Sequence, residues 1–173
     1  CQAGAHKLEC AGQVVFAEQP EDADDRDVDH RHEAGRLDEL LEPGRTYAFN
    51  SLFLDPYLWR LQVGGRRLVQ KARASGSAVD AVVVTAGIPE RDEAVELVED
   101  LRSSGVEHVV FKPGTVSQIK QVLAIADALA PTSVIVQIEG GMAGGHHSEE
   151  DLDHLLIESY AQLRRRGNVV VCV

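Results

Sequence analysis

Residues 139–151, EGGMAGGHHSEED, place four glycines and two histidines within positions 140–147. Histidine is the side chain whose ordinary pKa lies closest to neutrality, so His146 or His147 can take up or release a proton near pH 7. Glycine has no Cβ, so Gly144 and Gly145, like Gly140 and Gly141, let the backbone lie against a flat ligand and present its N–H groups. Three more residues with useful chemistry end apolar runs: Asn50, a donor and acceptor; Thr85 of Thr85-Ala86-Gly87; and Lys112 of Lys112-Pro113-Gly114, a cation. Gathered in one place, these groups suit a planar, anionic, electron-rich cofactor with a proton-moving histidine beside it. Each also has a plainer reading. Asn50 can be a strand-end turn residue bonded to local backbone, Lys112 can reach solvent, and a histidine can be structural. A phosphate cradle fits the glycines, but the paired histidines favour proton transfer. Metal binding is not expected, because adjacent histidines seldom point at one ion, His154 lies too far along the chain, and no cysteine is near.

Such residues meet only if the elements between them bring them together. The histidine loop follows the β-branched run 134–138, which reads as a strand buried on both faces. It precedes a helix announced by Ser148 and Asp151 at capping-box spacing, with Leu152, Leu155, Leu156 and Leu163 in helical period. The same unit recurs. Candidate strands are 46–53, 81–85, 108–112, 134–138 and 168–173, with starts about one βα unit apart, which argues for parallel strands and helical crossovers. Pro89 fits a first helical position ahead of Ala94, Leu97, Val98 and Leu101, and Gly105 can close that helix. Thr115 with Gln118 is a second capping box, followed by Ile119, Leu123, Ala126 and Ala130. Arg164, Arg165 and Arg166 suit the negative end of the last helix dipole. In parallel α/β folds the loops at the carboxyl ends of strands hold ligands, and all the residues named above fall there. The fold class is therefore α/β, with about five parallel βα units. Spacing alone leaves open an eight-stranded barrel or a doubly wound sheet. No GxGxxG or GxxxxGK[ST] follows the first clear strand, which counts against the commonest nucleotide-binding open sheets.

At 173 residues, 44% hydrophobic and 26% charged, the chain is sized for one globular domain. The net charge of −11 is concentrated: residues 18–42 hold eleven acids and three arginines. Residues 1–35 read as an acidic, poorly ordered segment that should pack badly against the rest. No basic stripe invites nucleic acid, and no apolar stretch approaches the ~20 residues of a membrane span. No signal peptide is visible, so a cytoplasmic location is expected. Cys1, Cys10 and Cys172 lack metal-ligand spacing and are assigned no chemistry.

Four segments, in order, carry a family resemblance: FNSLFLDPYLWRLQVGGRRLVQKA, VVVTAGIPE, HVVFKPGTV and QIEGGMAGGHHSEEDLDHLL. From residue 37 to residue 173 the chain resembles the enoyl reductase domain of actinobacterial and fungal type I fatty acid synthases. More distantly it is similar to flavin-dependent bacterial enoyl reductases and nitronate monooxygenases, in which an AGGH loop also follows a barrel strand. The resemblance implies a TIM (β/α)8 barrel carrying FMN on its carboxyl-end face, with NADPH as reductant and a trans-2-enoyl thioester, presented by an acyl carrier domain, as substrate. It implies that Asn50 contacts the flavin, that Lys112 lies beneath the ring, and that His146, with His147 as neighbour, assists protonation or polarises the thioester carbonyl. Thr85, Gly144 and Gly145 complete the implied cofactor-binding set. The family's later strands and phosphate-holding loops have no counterpart in 36–173, so the implied object is a partial barrel, about half of a catalytic unit, inactive alone and surrounded by other fatty acid synthase domains. The alternatives are a nitronate monooxygenase-like flavoenzyme and a non-catalytic remnant of a multidomain synthase.

Overall fold

The computed structural model describes residues 36–143 and 148–173. The expectation for residues 1–35, and those for Gly144, Gly145, His146 and His147, fall outside that range.

After a helical turn at residues 36–40, the first strand β1 (Tyr47–Leu52) leads into a short helix α1 (Pro56–Trp59), which loosens into a π-helical turn at Arg60–Gly64. There follow α2 (Leu68–Ala74), β2 (Val79–Thr85), α3 (Arg91–Ser103), β3 (His108–Phe111), α4 (Val116–Leu129), β4 (Val134–Gln137), α5 (Leu152–Leu163) and β5 (Val169–Cys172). All five strands are parallel and stand in sequential order. The chain never reverses across the sheet among the described residues, so there is no switch point of the doubly wound kind.

Sequential order has a geometric consequence. Right-handed crossovers that always step the same way lay every helix on the same face. The core confirms it: Val79, Val82 and Val84 of β2, Val109 and Phe111 of β3, and Val134 and Val136 of β4 pack with Leu97, Val98 and Leu101 of α3, Ile119, Val122 and Leu123 of α4, and Leu155 of α5. The intervening strand residues point to the other face. Their backbone register forms one row across the whole sheet, Asn50 to Val83 to Val110 to Ile135 to Val170. Val83 and Val110 are nearly buried there but take no part in the helix-side core.

The local punctuation explains where elements begin. Thr115 Oγ1 accepts from Gln118 N at 3.1 Å, as its capping-box spacing foretells. The return bond falls one residue early, with Gln118 Oε1 accepting from Gly114 N at 2.7 Å. Gly105, at φ +89°, supplies the left-handed residue that ends α3. Two expectations need correction. Pro89 is not the first helical residue of α3, which starts at Arg91 with Glu90 at the N-cap. Ser148 does not cap α5 either: Asp151 is the N-cap residue, without a side-chain bond, and the Ser148 hydroxyl is drawn instead to the Gly114 carbonyl. Tertiary contact across two loops has overridden a local capping pattern. No helix among the described residues is long and apolar enough to cross a membrane.

Candidate functional site

The row on the open face runs toward a polar fringe at the carboxyl ends of the strands. Asn50 lies inside β1, two residues before its end, and not in a strand-end turn; β1 stays paired to Leu52, opposite Thr85, and Phe53 N still donates to Thr85 O at 2.9 Å. Its side chain takes the same face as Val83, by strand alternation. Thr85 stands on that face too and is 3% exposed. The chain then turns through two left-handed residues, Ala86 at φ +55° and Gly87 at φ +120°. Ala86 carries a Cβ into a region that L-residues avoid, and a Cβ on Gly87 would press on Phe53 and Leu54 at 3.1 Å. The turn is held against the β1 exit by two backbone bonds, from Phe53 N to Thr85 O and from Leu54 N to Ala86 O.

Lys112 follows Phe111 and keeps its backbone in the ladder through a bond to Val84 O at 3.0 Å. Its ammonium does not project as an unpaired cation. Glu139 Oε2 lies 2.6 Å from Lys112 Nζ, with the two side chains 15% and 22% exposed. Gln137 Nε2 donates to the other oxygen, Glu139 Oε1, at 2.5 Å. The sequence reading missed Gln137 and Glu139. The signal lay in alternation: Ile135, Gln137 and Glu139 share one parity in and just beyond β4, and Ile135 is the partner of Val110, two residues before Lys112. The lysine therefore meets Glu139 just beyond β4, itself bonded to Gln137 at the end of that strand, on the open face.

Behind this fringe the β3–α4 and β4–α5 loops are clasped together. Ser148, 3% exposed, donates to Gly114 O and accepts from Glu150 N at 2.8 Å. The Glu150 carboxylate accepts from Val116 N at 3.3 Å, an amide at the α4 N-terminus that Thr115 leaves unmet. Gly141 N donates to Glu150 O at 3.0 Å and closes the base of the glycine-histidine loop. Gly140 is sterically required, since a Cβ there would sit 2.6 Å from Leu152 N, and Gly141 is tight, with a Cβ meeting Ser148 O at 3.0 Å. Beside this base a cleft of about 310 Å³ is lined by Ile138, Glu139, Gly140, Gly141, Leu152 and Val173, among others.

The structure thus brings Asn50, from within β1, and Thr85 and Lys112, from strand ends, to one face, and adds Gln137 and Glu139. Residues 133–173, which contain β4, the glycine-histidine loop, α5 and β5, match the family described as fatty acid synthase subunit beta/Fas1-like, helical. Over 122 residues, 70% of the chain, it is 41% identical to fatty acid synthase 2 of Mycosarcoma maydis. Against the fatty acid synthase subunit beta of Gibberella zeae it is 35% identical over 77% of the chain, and against that of Saccharomyces cerevisiae 30% over 76%. The chain resembles a segment of fungal fatty acid synthase beta subunits. It spans only 3% of the length of the first of these relatives and 6% of each of the other two.

Proposed function

We propose that the chain is a segment of an FMN-dependent, NADPH-linked enoyl-thioester reductase region of a fatty acid synthase, acting in fatty acid biosynthesis as part of a barrel that it completes with other segments. The observation that carries this reading is the sequential parallel sheet with all helices on one face, because it leaves a second face on which Asn50, Thr85 and Lys112 stand together. Similarity to the synthase beta subunits points the same way.

The open face fits a flat ring system. Val83 and Val110 supply an apolar floor, and Thr85, Lys112 and Gln137 a fringe of donors and acceptors, the pattern of few polar groups on apolar walls that small-molecule sites use. Asn50, Thr85 and Lys112 would hold FMN on that face, with Gly144 and Gly145 giving backbone approach. FMN, when bound, passes reducing equivalents from NADPH to the enoyl thioester. The chain's own part is to bind and orient the ring, keep water from the apolar floor, and move a proton. His146 is the group for the last task, with His147 beside it, since a general acid works best with a pKa near the operating pH. An acyl carrier domain would present the thioester.

The test is a substitution in a synthase that carries this segment. His146→Ala should leave FMN binding unchanged, leave flavin reduction by NADPH intact, and slow reduction of crotonyl thioester by ~10²–10⁴. Parental turnover in that variant would reduce the loop to a flavin cradle. A synthase segment that never takes up FMN, judged by its absorbance spectrum, would reject the flavoenzyme reading as a whole.

A further inference from the structure

Lys112 was expected to offer a positive charge to an anionic cofactor, yet its charge is already matched. Glu139 sits 2.6 Å from it, both side chains are largely withdrawn from solvent, and Gln137 occupies the second carboxylate oxygen at 2.5 Å. An ion pair of this kind has no net charge, so it attracts a second anion far less than a lone ammonium would. The hydrogen-bonding capacity left over is different in kind. An ammonium has three donors and only one faces Glu139; the Gln137 amide keeps one N–H and its carbonyl oxygen, which has no partner among the described residues. The fringe therefore offers neutral donors and an acceptor above the apolar floor of Val83 and Val110.

We propose that Glu139 determines the specificity of this rim: by neutralising Lys112 it makes the strand ends receive the uncharged, hydrogen-bonding edge of a planar ring and turns away phosphate and carboxylate groups. The inference rests on the reading of the open face as a ring-binding site and adds which end of the ligand lies there. An anionic tail belongs elsewhere. Glu139 acts through Lys112, so its effect must vanish when Lys112 is removed.

The experiment compares riboflavin, which carries the ring without phosphate, with inorganic phosphate, on the chain as it stands. In Glu139→Gln, a near-isosteric change that frees the ammonium, phosphate should bind about tenfold more tightly or better, while riboflavin affinity changes by less than about threefold. The gain in phosphate affinity should disappear in Glu139→Gln with Lys112→Met. Unchanged phosphate affinity in the single variant, or a gain that survives the loss of Lys112, overturns the proposal. A readout without any variant keeps the test open if Glu139→Gln does not fold: in the parent chain excess phosphate should leave the Lys112 side-chain carbon resonances in place, and a shift of those resonances overturns the proposal. Should the parent bind neither riboflavin nor FMN while the Lys112-dependent phosphate gain persists, the flavin reading fails and the charge-matching role of Glu139 stands.

Discussion

The two faces of the sheet are built from the same strands and differ in what covers them. On the helix side Val82, Val84, Phe111, Val134 and Val136 are fully sealed. On the other side Val83 and Val110 are almost as well hidden by their neighbours, and at the β5 edge both sides open, with Val170 37% and Val171 41% exposed. The helix side is mostly apolar along the strands, with Ser51 of β1 buried there and donating to Gln62 Oε1 at 3.0 Å. The open side mixes valines with Asn50, Thr85, Lys112, Gln137 and Glu139. The contrast teaches that stability and chemistry have been allotted to opposite parities of the same residues, so that polar groups needed for a ligand do not have to be buried in the core.

The most direct way to break that contrast is to empty one face at a time. Phe111→Ala should destabilise the fold by ~3–5 kcal/mol, because a large sealed side chain leaves a cavity among α3 and α4 that cannot collapse. Val83→Ala should cost less than half as much in urea denaturation. Equal losses would show that the open face is as tightly packed as the covered one.

A smaller effect sharpens the boundary between fold and rim. Ser148→Ala removes the bond to Gly114 O and leaves Glu150 N unmet, and should cost ~1–3 kcal/mol. Its mark should be local: amide exchange should rise at Val116 and Glu150 before it rises in β2. Uniform acceleration across the chain would mean that the clasp belongs to the core after all.

The smallest effect lies on the outer surface. Arg166 grips Asp127 through two bonds of 2.7 Å, and that hydrogen bonding holds the Asp127 carboxyl below its ordinary value of 3.8. A depressed folded pKa gives stabilisation that is complete above the unfolded value and lost as pH falls through the folded one. Because the pair is largely open to solvent, Asp127→Asn should lower stability near neutral pH by only a few tenths of a kcal/mol, and the difference from the parent should close below about pH 3.8. Thermal melts of both chains across that range check the sign; a gap that widens in acid contradicts it.

Much of this arrangement is readable before any folding. The five apolar runs at 46–53, 81–85, 108–112, 134–138 and 168–173 became strands whose ends differ by one or two residues, since β-branched runs closed by Gly, Pro or a charge have few alternatives. Thr115 and Gly105 also act as their residue types predict. The misreadings share one cause. Pro89 and Ser148 were judged by local pattern, and each is held by a partner far away in sequence: the Pro89 carbonyl accepts from Gln121 Nε2, and the Ser148 hydroxyl donates to the Gly114 carbonyl. Lys112 belongs with them, because nothing within a few residues of it discloses Glu139.

The sequence by itself determined the α/β class, the parallel repeat, the start of α4 at Thr115 and the end of α3 at Gly105, and the residue types near the strand ends, because these depend on periodicity, capping and turn chemistry within a few positions. The sequential strand order is what the barrel resemblance implies, whereas only the tertiary structure decided that one parity of every strand is left without helices and that Lys112 is charge-matched by Glu139 with Gln137 behind it. Those facts depend on strand register, which joins residues tens of positions apart, and register is set by the collective packing of the sheet against its helices and not by any one segment.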